Sequence, residues 1–283
     1  MLRLRTDIPL FYGGKKKAFT VSYDDGVTQD ERLISLMDAY GIKGTFNLNA
    51  GLMGDRDWLV QPGIDVSHYK FSKEEAAIIY KNHEIAVHSM THPALSKVPR
   101  AMVAYETAEC KKELEEITRK PVRGMAYPFG TYNPAAQDVL KSCGIAYART
   151  VKSTYEFQIP KDFLAWDPTC HHTEECMERL GDEFLEMEPE EPALFYLWGH
   201  AYEFDAYGEW ERIEAFFKKI GKKEEIWYAT NLEIVEYLEA VDRLIYSATG
   251  DYISNPSARD VWMEIDGEIY CIGSGETVII KKK

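Results

Sequence analysis

Two kinds of apolar pattern alternate along the chain. Short unbroken runs, rich in β-branched and aromatic residues, read as buried strands; longer stretches with a three-to-four-residue period read as amphipathic helices. After a loose edge strand within residues 1–12 (Leu2, Leu4), which stops at Gly13-Gly14, the first buried strand is predicted at 17–23. Residues 28–40 form a helix, with Leu33, Ile34, Leu36 and Met37 on one stripe and Gly41 as its stop. A strand follows at 45–49, and Ser72 caps a helix to Asn82 with Glu74 and Glu75 in its first turn. Between them, 51–69 reads as an irregular insertion holding Trp58, Pro62 and His68, of a length that is often functional in compact domains.

Further strands are expected at 84–87, 122–126, 145–148, 163–166, 193–198 and 226–229. Helices at 100–118, 134–142, 173–187, 209–220 and 231–240 separate or follow them. This alternation predicts an α/β chain: parallel βα units closing into a distorted (β/α) barrel of about seven parallel strands. In such barrels, ligand groups gather at the C-terminal strand ends. Past Arg243 the period changes. Alternating runs flank Asp266-Gly267, a hairpin signal, and 278–280 offers a third strand. The expected division is a barrel over 1–243 and a small antiparallel β appendage over 244–283.

Composition narrows the partners. The chain has 283 residues, enough for one large α/β domain with an appendage. A formal charge of -14 argues against nucleic acid or an anionic membrane, since both need basic patches. No apolar run is long enough to span a bilayer. The first six residues have no signal-peptide core. The five cysteines are scattered and odd in number, which reads as reduced thiols. These features place the expectation in the cytoplasm; they set no oligomeric state.

The candidate chemistry sits at predicted strand ends. Asp24 and Asp25 close the first buried strand before Gly26, where one acid can hold a metal while the other takes a proton from water. His88 and His92 follow the apolar run 85–87, and imidazoles at i and i+4 converge if the segment is helical or tightly turned. The set could also describe a non-haem iron site, but the spare acid and the β/α alternation fit hydrolysis better. Cys170-His171-His172 with Cys176 hints at a second metal site; the spacing matches no strong zinc pattern and reads as structural. His68 and His83 read as ordinary loop and helix-end residues. Tyr202, Glu203 and Asp205 suit either sugar hydroxyls or an exposed polar loop.

Five stretches in fixed order resemble the metal-dependent polysaccharide deacetylases, carbohydrate esterase family 4. They are Ser22-Tyr23-Asp24-Asp25-Gly26, His88-Ser89-Met90-Thr91-His92, Tyr127-Pro128-Phe129-Gly130, Trp166-Asp167 and Leu197-Trp198-Gly199-His200. The resemblance implies a hydrolase that removes an N-acetyl group from an amino sugar or related carbohydrate. It gives Asp24 as general base, His200 as general acid with Asp167 as its partner, and Asp25, His88 and His92 as ligands of one divalent ion. Zinc is the leading metal, with cobalt, nickel or manganese as substitutes. Tyr127, Phe129, Trp166 and Trp198 are implied to line the substrate, with the Phe129 N–H facing the oxyanion. The sequence departs from the family at three places: Ala126 stands where an Arg is usual, Trp166 precedes Asp167 instead of following it, and Trp198 replaces an aliphatic residue. A barrel amidase acting on a non-sugar C–N bond, or a silent carbohydrate-binding protein, are the alternatives. The expected partner is a carbohydrate or small N-acylated molecule, with no nucleic acid and no membrane.

Overall fold

The structure is a computed structural model that describes residues 6–280. Leu2 and Leu4 of the expected edge strand lie outside the described residues. The first half of the chain runs β1 (Asp7–Leu10), β2 (Lys17–Asp24), α1 (Asp30–Ala39), β3 (Gly44–Leu48), β4 (Arg56–Gln61), β5 (Ile64–Tyr69), α2 (Lys73–Ile79), β6 (Glu84–Val87), α3 (Arg100–Thr118), β7 (Gly124–Ala126) and α4 (Pro134–Ser142). It continues with β8 (Tyr147–Arg149), β9 (Cys170–His171), α5 (Met177–Glu186), β10 (Ala193–Gly199), α6 (Tyr202–Tyr207), α7 (Trp210–Ile220), β11 (Ile226–Tyr228) and α8 (Asn231–Asp242). The chain closes with β12 (Ile245–Tyr246), β13 (Tyr252–Ser254), β14 (Val261–Ile265), β15 (Glu268–Ile272) and β16 (Thr277–Ile279).

Seven parallel strands, in the order β8-β7-β6-β3-β2-β10-β9, curl into a half-barrel. β11 pairs with the start of β2, on 17–19, and β3 with its end, on 21–24. The segment 166–171 spans the open side. Trp166 bridges to Arg149 on β8, and Cys170 and His171 pair with β10.

β2 is buried along its whole length, as a central parallel strand covered on both faces must be. Its side chains divide by parity. Phe19, Val21 and Tyr23 pack outward against Leu33, Met37 and Phe216 of the surrounding helices. Ala18 faces an inner cluster with Tyr147, Trp166, Leu194 and Tyr196. Each large apolar side chain buried this way contributes roughly 1.5–3 kcal/mol. The inner polar residues satisfy one another: Thr20 Oγ1 donates to Asn231 Oδ1 at 2.7 Å, Ser22 pairs with the Tyr196 hydroxyl at 2.9 Å, and Tyr147 donates to Glu84 at 2.6 Å.

Three expectations need correction. The insertion is a hairpin, not irregular: β4 and β5 pair antiparallel around Pro62-Gly63. Proline at the second turn position and glycine at φ +82° in the third are what a type II turn requires. The strand expected at 163–166 is a 3-10 turn over Phe163–Ala165, with Asp162 capping Leu164 N, and the paired strand comes later at β9. The polar loop after His200 is the helix α6.

At the C-terminus, β14 and β15 form the expected hairpin, with Asp266 at φ 49° and Gly267 at φ 81°. β1 joins this sheet by pairing with β14, and β16 pairs with β13 instead of the hairpin. Tyr237 of α8 ties the parts together. Its hydroxyl donates to Leu10 O at 2.7 Å and accepts from Trp262 N at 3.0 Å. Among the described residues, no helix is long and apolar enough to cross a membrane.

Candidate active site

The C-terminal ends of the parallel strands carry the site. Asp24 ends β2, His88 follows β6, Ala126 and Arg149 end β7 and β8, and His200 follows β10. Asp24 is 2% exposed. Its Oδ1 accepts from Asn47 Nδ2 of β3 at 2.8 Å, and its Oδ2 accepts a hydrogen bond from Arg149. Burial pushes the Asp24 carboxyl up, but the Arg149 guanidinium, then His88 and His200, outweigh it and hold the group below its ordinary value.

Asp25 turns away at φ 79°, a left-handed conformation that a non-glycine residue rarely adopts. The hairpin holds it there: His68 Nε2 lies 3.1 Å from Asp25 Oδ2, and Lys70 Nζ donates to Asp25 O at 2.8 Å. Burial opposes ionisation of Asp25, yet Lys70 and the His68 hydrogen bond keep its carboxyl well below the usual range.

His88 donates from Nδ1 to Ala126 O at 2.9 Å, which leaves Nε2 as the nitrogen with a lone pair. His92 reaches the same point through a tight turn, with Ser89 at φ 63° and His92 at φ 61°. Glu106 of α3 fastens that turn, accepting from Thr91 N at 2.9 Å and Thr91 Oγ1 at 2.7 Å. The two Nε2 atoms face each other at 3.1 Å. Burial lowers the pKa of both rings, that of His92 to about 4. One ionised carboxylate and two neutral imidazoles are the protonation states a divalent cation needs. Their ligand atoms lie within 4.8 Å of one another, and ligand atoms around a tetrahedral zinc sit about 3.3 Å apart. The residues fit such an ion.

His200 is one-fifth exposed and its Nε2 lies 4.0 Å from Asp24 Oδ2. On its other side, Nδ1 lies 3.4 Å from Glu203 Oε2. Burial works against the charged ring, but Glu203, then Asp25 and Asp24, raise its pKa to about 9.

Several expected residues stand elsewhere. Asp167 does not meet His200; it accepts from Thr150 Oγ1 and lies 3.4 Å from Lys152 Nζ. The reversed Trp-Asp order explains this, because Trp166 turns inward to Tyr147, Phe163 and Tyr196 and leaves Asp167 on the β8 side. Trp166, 1% exposed, therefore fills the barrel interior and does not line the site. Tyr127 is also buried: its hydroxyl donates to Leu164 O at 2.8 Å and its ring stacks on Tyr132. Phe129, at φ 58° and exposed, packs its ring edge on His92. Trp198 does reach the site. Its face lies under the Arg149 guanidinium at 4.2 Å, and it contacts the rings of His171 and His200.

Arg149, Glu106 and Lys70 are site neighbours that the sequence did not single out, and His68, expected to be an ordinary loop residue, instead lies on β5 against Asp25. Arg149 had a signal: a charged residue that ends a buried barrel strand. It pairs in register with Ala126, so one strand over it supplies the guanidinium that Ala126 lacks.

Residues 12–148 match the family model described as polysaccharide deacetylase. No curated protein sequence matches the chain. A Mycobacterium smegmatis structure assigned to the polysaccharide deacetylases superposes with a TM-score of 0.60 at 15% identity, covering 83% of this chain and 94% of that one. A mutant of a Bacillus anthracis CE4-family pseudoenzyme, with restored enzymatic activity, aligns at TM-score 0.50 and 14% identity over 79% and 69% of the two chains. A Streptococcus pyogenes deacetylase solved with acetate aligns at 17% identity and TM-score 0.41, over 47% of this chain and only 55% of its own length. At these identities the likeness is one of fold. Residues 12–148, which hold the Asp24 and His88 motifs, are therefore similar to the polysaccharide deacetylases, and the chain shares the fold of the Mycobacterium smegmatis structure.

Proposed function

We propose that the chain is a metal-dependent hydrolase that removes an acetyl group from the nitrogen of an amino sugar or related carbohydrate. The supporting observation is the convergence at one strand-end cluster of an ionised acid pair, two neutral imidazoles and a third imidazole held protonated. Asp25, His88 and His92 would hold the divalent ion, zinc foremost, which when bound supplies Lewis acidity to an acyl oxygen and acidity to water.

Asp24 takes a proton from the attacking water as its oxygen bonds to the acyl carbon. Arg149 and Asn47 fix the carboxylate's rotation, so its free lone pair faces the cluster. The Phe129 N–H donates to the acyl oxygen as negative charge builds there. His200 then gives its Nε2 proton to the leaving nitrogen as the C–N bond breaks, releasing acetate and a free amine. Glu203, not Asp167, lies beside that ring and favours its charged form. Trp198 walls the acyl pocket, so acetyl and formyl groups fit and longer acyl chains do not. In Trp198→Leu, propionyl substrates should be accepted.

A panel of N-acetylated sugars and non-sugar N-acetyl amides, with acetate read enzymatically, tests this reading. Release from sugars by zinc-loaded protein supports it. Release confined to the non-sugar amides replaces the carbohydrate, and no release from any substrate makes the chain a binding protein.

A further inference from the structure

Beside His200 lies a second histidine cluster, of which the proposed reaction uses only Glu203. Four nitrogens crowd one oxygen, Glu203 Oε2. They are His172 Nε2 at 3.1 Å, His171 Nε2 at 3.3 Å, His200 Nδ1 at 3.4 Å and the His200 backbone N at 3.1 Å. A carboxylate oxygen offers two lone pairs. The backbone N–H makes a formed hydrogen bond, whereas both ring nitrogens of His172 and Nδ1 of His200 are buried without an aligned partner. Orphaned buried nitrogens of this kind are uncommon in a folded core.

The rings are firmly placed. His172 is 1% exposed and stacks between Tyr23 and Phe204, with centroids at 5.6 and 4.2 Å. It also presses on Gly199, where a Cβ would stand 2.1 Å from its Nδ1, so only glycine leaves room for this imidazole. His171 Nδ1 accepts from Thr173 N at 3.2 Å and lies 2.8 Å from Thr173 Oγ1, so in the neutral ring Nε2 bears the hydrogen that faces Glu203, and an ion bound there would replace it. The ligand atoms of His171, His172 and Glu203 lie within 4.8 Å of one another.

We propose that His171, His172 and Glu203 bind a second divalent transition-metal ion. Two imidazole nitrogens and one carboxylate oxygen suit zinc, with cobalt as a spectroscopic substitute. The ion would satisfy His172 Nε2, one of the nitrogens that Glu203 cannot serve. Sequence spacing gave no zinc pattern because the third ligand comes from α6, thirty-one residues beyond His172 in the chain. The inference concerns metal content and not turnover, but it shares Glu203 with the proposed reaction, and an ion there would offset part of the charge that favours protonated His200.

The test is metal analysis of the full chain, stripped with chelator and re-equilibrated with Zn²⁺, alongside anomalous diffraction from the Co²⁺ form. Two ions per wild-type chain are expected, with one anomalous peak between His171, His172 and Glu203. His171→Gln and His172→Gln should each hold one ion, and His92→Ala should lose the other. If His172→Gln fails to fold, because its ring fills the space over Gly199, His171→Gln at the half-buried position decides alone. A wild-type chain that binds one ion, or a His171→Gln chain that still binds two, overturns the proposal.

Discussion

Asp24 is enclosed, and burial alone would drive its carboxyl toward protonation. Arg149 and Asn47 keep it ionised and aimed. Asp24→Asn keeps the shape but removes the basic oxygen, so kcat should fall roughly 10²–10⁴-fold while metal content holds. A metal-loaded variant at wild-type rate would remove Asp24 from the role of base. Arg149→Met takes away the strongest counterweight to burial, so the Asp24 pKa should rise. The proposed base is the ionised form, so the acid limb of kcat/KM should move to higher pH. The sign is opposite at His200, whose protonated form is the one the proposed reaction uses: activity should be lost as pH rises through about 9. Glu203→Gln should bring that alkaline limb down toward 6.5, the ordinary histidine value, and Asp167→Asn should leave it in place. A limb that moves only in Asp167→Asn would return the partnership to Asp167.

At the level of elements, much was legible because each strand ends where its chemistry begins. The Asp24-Asp25 and His88–His92 motifs sit on strand ends whose apolar runs are unambiguous. Register is what the linear pattern could not give. Ala126 and Arg149 are 23 residues apart in sequence yet paired across β7 and β8, so a guanidinium absent from one strand is present on the next. This substitution across strands is testable. Ala126→Arg combined with Arg149→Ala should recover part of the kcat/KM lost in Arg149→Ala alone, and no recovery would mean that only the β8 position aims Asp24. The insertion read as irregular, whereas Pro62 occupies the turn between two paired strands, β4 and β5. Glu106 was hidden for another reason, being a buried acid on a helix of ordinary pattern. Since it fastens the Thr91 turn, Glu106→Gln should weaken zinc affinity about 10–100-fold, as loss of an outer-shell partner does. Unchanged affinity by competition with a chromophoric chelator would show that the turn holds itself.

Across the whole molecule, the expected barrel is present, while the small sheets at the end are joined differently from the expectation. The sequence suggested an appendage built from its last forty residues, but β1 from the N-terminus completes the β14–β15 sheet. Such a pairing depends on contacts between distant segments and leaves no trace in local alternation. Tyr237 links α8, β1 and β14, and Tyr237→Phe would leave the Leu10 carbonyl and the Trp262 N–H short of a partner. A loss of about 1–3 kcal/mol in urea unfolding is expected, and an unchanged midpoint would show that water replaces the hydroxyl.

The proposed joining of metal and chemistry at the barrel rim is tested most directly by one assay. Acetate and free amine are measured together from N-acetylated sugars, using zinc-loaded wild type, the same protein stripped by chelator, and zinc-treated His92→Ala. Equal amounts of acetate and amine from the first, and neither from the other two, are expected. Undiminished acetate release from the stripped protein, or none from a folded, zinc-loaded wild type on every sugar tried, would contradict a metal-dependent deacetylase centred on Asp24, Asp25, His88, His92 and His200.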